Sequence, residues 1–127
     1  MSDALLDTSV VIAGESAVDP PATTAISVVT IGELKAGVLL AREPGMRAAR
    51  QARLSAVRDA YKPLDIDESV ANQYGEVLAG ARAAGRITNA TDLLIIATAA
   101  ATGRLLYTLD QRQARLAQEL GVPIAGR

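Results

Sequence analysis

Apolar and polar positions change their period repeatedly along this chain. ALLD, residues 4–7, is a short apolar run closed by an acid and predicts a buried strand. TSVVIAG predicts a short helix stopped at Gly14. DPPATTAISVV passes from a proline turn into β-branched residues, predicting a second strand near Thr23–Ser27. VVTIGELKAGVLLAR has helical periodicity, Pro44-Gly45 breaks it, and MRAARQARLSAVRDAY resumes as a basic amphipathic helix. KPLDID reads as a short strand whose closing acids can cap ESVANQYGEVLAGARAAG, a helix ending at Gly85. NATDLLIIATAAATG, residues 89–103, is a helix with an apolar core on every side. RLLYTLD then predicts a buried strand, QRQARLAQELG a helix, and VPIAG a last short strand.

Strands alternating with helices argue for an α/β fold, with a mostly parallel central sheet of four to five strands flanked by helices. The 127 residues suit one domain spanning 1–127, with no internal repeat, low-complexity tract or linker.

Composition narrows the chemistry. Histidine and cysteine are absent, which excludes Ser-His-Asp, Cys-His and zinc–thiolate or zinc–imidazole centres as well as disulfides. There is no Phe or Trp and only three Tyr, so an aromatic platform for single strands is not expected. The net charge of −1 is no general coat for nucleic acid, and any phosphate contact must come from local arginines or metal ions. MSDALLD lacks a basic region followed by an apolar one, and the apolar run 93–101 is too short to span a bilayer, so a cytoplasmic location is expected.

Four carboxylates stand where charge is costly. Asp7 closes the first strand, at the end of a parallel sheet where ligands bind, although it could simply cap the next helix. Lys35 and Arg42 lie roughly 160° and 180° from Glu33 on a helical wheel, which places Glu33 with Val29, Ala36, Gly37 and Leu40 on the side away from solvent. A buried arginine could be its partner instead. Asp92 sits in the first turn of the apolar helix, where the helix dipole tolerates it, yet Asn89 and Thr91 could cap that helix without adding charge. Asp110 repeats the geometry of Asp7, again with capping as the simpler alternative. No arginines occupy matching buried positions, and Arg104 lies at the far end of its strand from Asp110. One shared answer is that the four acids converge on one or two hard divalent cations, Mg²⁺ or Mn²⁺, held by oxygen ligands and water. Such a centre suits phosphodiester hydrolysis by an activated water and needs no histidine.

These residues resemble the PIN-domain ribonucleases and, within them, the VapC toxins of toxin–antitoxin pairs. LLDTSVVI, SVVTIGELKAGV, GRITNATDLLIIATAAATG and LLYTLD look like the family's four motifs, in order and in register across nearly the whole chain. The resemblance implies a PIN-like fold, Mg²⁺-dependent endoribonuclease activity, a homodimer and a cognate VapB-like antitoxin. Carried over by position, Asp7, Glu33, Asp92 and Asp110 become the catalytic metal-site acids. Thr8 and Ser9 would lie against Asp7, and Thr108 would shape the pocket. Many relatives carry an aromatic residue past the fourth acid and a Trp near the third. Here those regions read DQRQARLA and TDLLIIA, which removes no ligand but leaves RNA choice open.

Arg47, Arg50 and Arg58 fall within about 80° on one helix, with Arg53 further round, and make either a solvated face or a contact for RNA or antitoxin. Arg82, Arg86, Arg112 and Arg115 flank the motifs, and Arg112 ranks first for phosphate contact. Two rival classes stand beside the nuclease. One is a non-catalytic acid-pocket module binding a cation or a partner protein. The other, an aspartyl phosphotransfer enzyme, is disfavoured because Ser9 stands where a second acid would be needed and no lysine follows the later strand suitably.

Overall fold

The computed structural model describes residues 3–14, 17–21 and 23–125. Four strands, β1 (Ala4–Leu6), β2 (Thr24–Ser27), β3 (Pro63–Leu64) and β4 (Leu105–Tyr107), form one sheet in the order β3-β2-β1-β4. Every pairing is parallel. Among the described residues there are six helices: α1 (Thr8–Ala13), α2 (Val28–Leu40), α3 (Pro44–Ala60), α4 (Glu68–Ala83), α5 (Ala90–Thr102) and α6 (Gln111–Glu119).

Successive side chains of a strand point to opposite faces, so β1 builds two cores. Leu5 joins Val70, Val77, Leu93, Ile96 and Leu106, under α4, α5 and α6. Leu6 joins Val10, Ile26, Leu34, Val38 and Leu54, under α1, α2 and α3. Helix α5 lies inside the first core, with residues 93 and 95–99 all buried, as its apolar sequence requires. Gly103, at φ 64, ends α5 in the left-handed conformation that costs glycine nothing and turns the chain into β4.

Three local expectations need correction. Of VPIAG, residues 122–125 make no strand, with Ile124 forming a single parallel bridge to Leu106, and Gly126 lies outside the described residues. The KPLDID strand is confined to Pro63–Leu64, and Asp67 caps α4 by accepting from the Val70 N–H. Pro44 opens α3 as its first residue, where its missing N–H costs nothing.

The topology fixes where a ligand belongs. From β1 the chain adds β2 and β3 on one side, then crosses to place β4 on the other. The crevice at such a reversal, beyond the carboxyl ends of β1 and β4, is the favoured ligand site of an open parallel sheet.

Candidate active site

Asp7 and Thr108 meet at that crevice because of strand register. Leu6 pairs with Tyr107, so the next residues of the two strands emerge side by side. The Thr108 hydroxyl donates to Asp7 Oδ2 at 2.8 Å, and the Ser9 hydroxyl donates to the same oxygen at 2.8 Å. A hydroxyl has one proton, so both are committed to Asp7. Their lone pairs are used as well: Ser9 Oγ accepts from the Leu109 N–H and Thr108 Oγ1 from the Asp110 N–H, both at 3.0 Å. Asp7 stands at the cap position of α1, but its side chain makes no capping bond. It is a buried carboxylate, 5% exposed, held by two neutral donors.

Glu33 is fixed from α1. The Thr8 hydroxyl donates to Glu33 Oε1 at 2.6 Å. That uses the only Thr8 proton, so in the 2.9 Å contact between the Thr8 and Thr30 hydroxyls, buried Thr30 is the donor. The result is a relay from Thr30 through Thr8 to Glu33. The expected placement of Glu33 on a buried helix side needs correction. The buried stripe of α2 is Thr30, Leu34 and Val38, while Ala36 and Leu40 are exposed and Glu33 lies at the boundary. With apolar residues nearly all round α2, the wheel alone could not orient it.

Asp92 and Asp110 stand on facing helix starts. Asn89 caps α5, its side chain accepting from the Asp92 N–H at 2.9 Å, which leaves the Asp92 carboxylate free of capping duty. Asp110, in contrast, is a true cap: Oδ1 accepts from the backbone N–H groups of Arg112 at 2.9 Å and Gln113 at 3.3 Å. The buried Gln113 side chain then donates to the Asp92 carbonyl at 3.0 Å, tying the start of α6 to the first turn of α5.

Asp92 lies within electrostatic reach of the other three acids. Burial pushes the Asp92 carboxyl above the usual range, and the charges of Asp7, Glu33 and Asp110 push it further, while the Asn89 hydrogen bond opposes them. No arginine relieves this repulsion. Among the described residues the one ion pair is Arg86–Glu119, at 3.2 Å. Equally, no three carboxylates of the described residues stand close enough to make a ready cage for one ion. The donor set is nevertheless what Mg²⁺ takes. That ion binds through one or two carboxylates and completes its shell with water and substrate phosphate, rather than sitting in an all-protein cage.

The remaining candidates divide clearly. Ser9 and Thr108 contact Asp7, whereas Thr8, expected against Asp7, turns its hydroxyl to Glu33 on α2 instead. Arg112 lines a cleft of about 770 Å³ that opens from Asp92 and Asp110. Arg50 and Arg53 are tied down, donating to the carbonyls of Gly37 at 2.7 Å and Val11 at 3.5 Å, and so fasten α3 to its neighbours. Sequence reasoning missed Thr30 and Gln113. Thr30 carried a usable signal, lying one turn before Glu33 on the same helix face. Gln113 carried none, since a glutamine between arginines reads as solvent-facing.

Comparison with known proteins bears on the family of the fold. The PIN domain family model matches residues 4–119. Ribonuclease VapC8 of Mycobacterium tuberculosis is 43% identical over 100 residues, covering 75% of this chain and 88% of the relative. Ribonuclease VapC4 of the same organism is 37% identical over 118 residues, covering 89% and 90%. In three dimensions, the crystal structure of VapBC-5 from M. tuberculosis, a member of the VapBC family of toxin–antitoxin systems, superposes with a TM-score of 0.81 at 35% identity, covering 91% of each chain. With the family match spanning all four strands, and relatives at 37–43% identity over most of their length, the chain belongs to the PIN-domain family, in its VapC group.

Proposed function

We propose that this protein is a Mg²⁺-dependent endoribonuclease, the toxin of a toxin–antitoxin pair. The observation that supports it is the Asp92 carboxyl, raised first by burial and then by the charges of Asp7, Glu33 and Asp110, opposed only by the Asn89 hydrogen bond and with no ion pair on any of the four acids among the described residues, a repulsion that a hard cation would relieve. Ribonuclease names on relatives at 37–43% identity support the activity class. Asp7, Glu33, Asp92 and Asp110 would hold one or two Mg²⁺, or Mn²⁺, ions, each through one or two of these carboxylates, with water and phosphate completing its shell. When bound, the ion supplies Lewis-acid polarisation of the phosphodiester and activation of water near neutral pH.

The chain's own groups position this chemistry. Ser9 and Thr108 fix one oxygen of Asp7 and leave the other for ligation. The Thr30–Thr8 relay aims Glu33, and Gln113 holds the Asp92 and Asp110 segments together. The three hydroxyls nearest the acids are engaged as donors to them, and with no histidine in the chain to act as a base, water is the nucleophile rather than a side chain. Removing an orienting hydroxyl with Ser9→Ala or Thr108→Val is expected to lower cleavage by about 10–100-fold, with the loss following metal affinity. Ser9→Thr should restore most of it. Cleavage rates measured across a Mg²⁺ titration check both outcomes.

A VapB-like antitoxin is the proposed protein partner, supported by the toxin–antitoxin description of the VapBC-5 structure. A second cleft of about 400 Å³ between α1, α2 and α3 has the right character, with apolar Ile12, Leu34 and Met46 bordered by Glu33, Arg50 and Arg53. Exposed Leu39 and Leu40 beside it offer apolar surface for that partner or for a second copy in a homodimer.

The test is cleavage of end-labelled single-stranded RNA by purified protein. Cutting is expected with Mg²⁺, loss with chelator, and recovery when Mg²⁺ is returned. A binding module would retain cation or partner binding without turnover, and cutting that persists in chelator would overturn the metal-dependent reading.

A further inference from the structure

The 770 Å³ cleft extends past the acids to a part of the surface that the chemistry just described does not use. Its volume lies within the ordinary range of ligand clefts. One end is formed by Asp92 and Asp110, and one bank by Arg112 and Arg115 of α6. Spaced three apart, these two arginines share a helix face, the second carried about 4.5 Å further along the axis from Asp110. Neither guanidinium has a hydrogen-bond partner among the described residues, unlike Arg50, Arg53, Arg86 and Arg104, which are all engaged. On the opposite bank Arg86 is held by Glu119, and next to it Ile87 stands 96% exposed, the most exposed large apolar side chain described.

We propose that this cleft holds the RNA strand on one side of the scissile bond, with Arg112 and Arg115 gripping its backbone phosphates and Ile87 packing against an unstacked base. The proposal rests on the ribonuclease reading and adds the strand's path to it. Guanidinium forks match phosphate oxygens, and arginine planes can also cover a base where no aromatic side chain is available. The cleft lining contains no aromatic residue. A polyanion approaching the four acids therefore meets two unengaged cations beside them.

Steady-state cleavage of a labelled single-stranded oligoribonucleotide of mixed sequence tests this, together with fluorescence-anisotropy binding of the same strand to Asp92→Asn protein across a salt series. Arg112→Gln and Arg115→Gln are each expected to raise KM about 5–10-fold, with kcat changed less than about twofold. Each should also flatten the slope of log affinity against log salt by about 0.7, one phosphate contact on a single strand. Ile87→Ser should raise KM without altering the salt slope. Lys62→Gln, exposed just before β3, is the control and should change neither quantity. Unchanged KM and slope in both arginine variants would overturn the proposal, as would an equal loss in Lys62→Gln. So would an effect confined to capture of a protein partner. If no variant and no parent protein cuts RNA, the ribonuclease reading itself has failed, an outcome distinct from intact cutting with unaltered KM.

Discussion

Asp92→Asn is expected to remove RNA cleavage, by at least about 10³-fold, while leaving the metal-free protein as stable as the parent or more so. The activity loss follows from taking away one carboxylate of the proposed cation site, whose Lewis-acid contribution would be several kcal/mol, each 1.36 of which is tenfold in rate. The stability result follows from the local structure. Asn89 caps α5, so the substitution removes no cap, and Asn keeps the shape of Asp. What it removes is a half-buried charge repelled by Asp7, Glu33 and Asp110. Because the folded-state pKa of Asp92 is raised, the native protein binds this proton more readily than the unfolded chain. Its contribution therefore favours folding at low pH and turns against folding as pH climbs from the ordinary aspartate value through the raised one. Above that window the penalty is complete. Denaturant titrations in chelator across this pH range should show the fall in the parent and its absence in Asp92→Asn. A marked destabilisation by Asp92→Asn would mean that the carboxylate has a structural partner.

Asp110 is expected to separate two duties that Asp92 does not combine. Its Oδ1 caps α6 through two backbone N–H groups, and its charge acts on Asp92. Asp110→Asn keeps a good cap and loses the charge. Asp110→Ala loses both. Both variants should cut RNA about 10²-fold more slowly. Only the alanine variant should lose stability, by about 1 kcal/mol, equivalent to a fall in Tm of about 4 °C for a domain of this size. Thermal melts and single-turnover rates on the pair decide this. If Asp110→Asn cuts RNA like the parent, Asp110 is a cap only and the site has three acids.

Much of this arrangement was legible in the chain because parallel α/β folds convert sequence position into place. A short apolar run that ends in an acid before a helix puts that acid at the carboxyl edge of the sheet, and Asp7 follows this rule, whereas β4 ends at Tyr107 and Asp110 stands three residues beyond it, exposed, as the cap of α6. Asp92 was legible by elimination, since Asn89 supplied a neutral cap and left the acid without that duty. Glu33 was expected on a buried helix side but lies at the boundary, because α2 is apolar almost all round and only its contact with α1 decides which face turns inward. VPIAG was too short for its pattern to distinguish a strand from one bridge. The hydroxyl network was not legible beyond Thr8, Ser9 and Thr108. The roles of Thr30 and Gln113 depend on which side chains meet across α1, α2, α5 and α6, and that is decided by packing. The 99-residue separation of Ser9 and Thr108, joined through Asp7, makes the same point.

The central claim is that these four carboxylates gather to hold a hard divalent cation. Calorimetric titration of the purified protein with Mn²⁺ tests it most directly, run in parallel on Asp7→Asn and Asp92→Asn. Saturable binding by the parent, weakened at least about tenfold in each variant, is the predicted result. Equal Mn²⁺ binding in all three proteins, or RNA cutting by a parent that binds no ion, would contradict it.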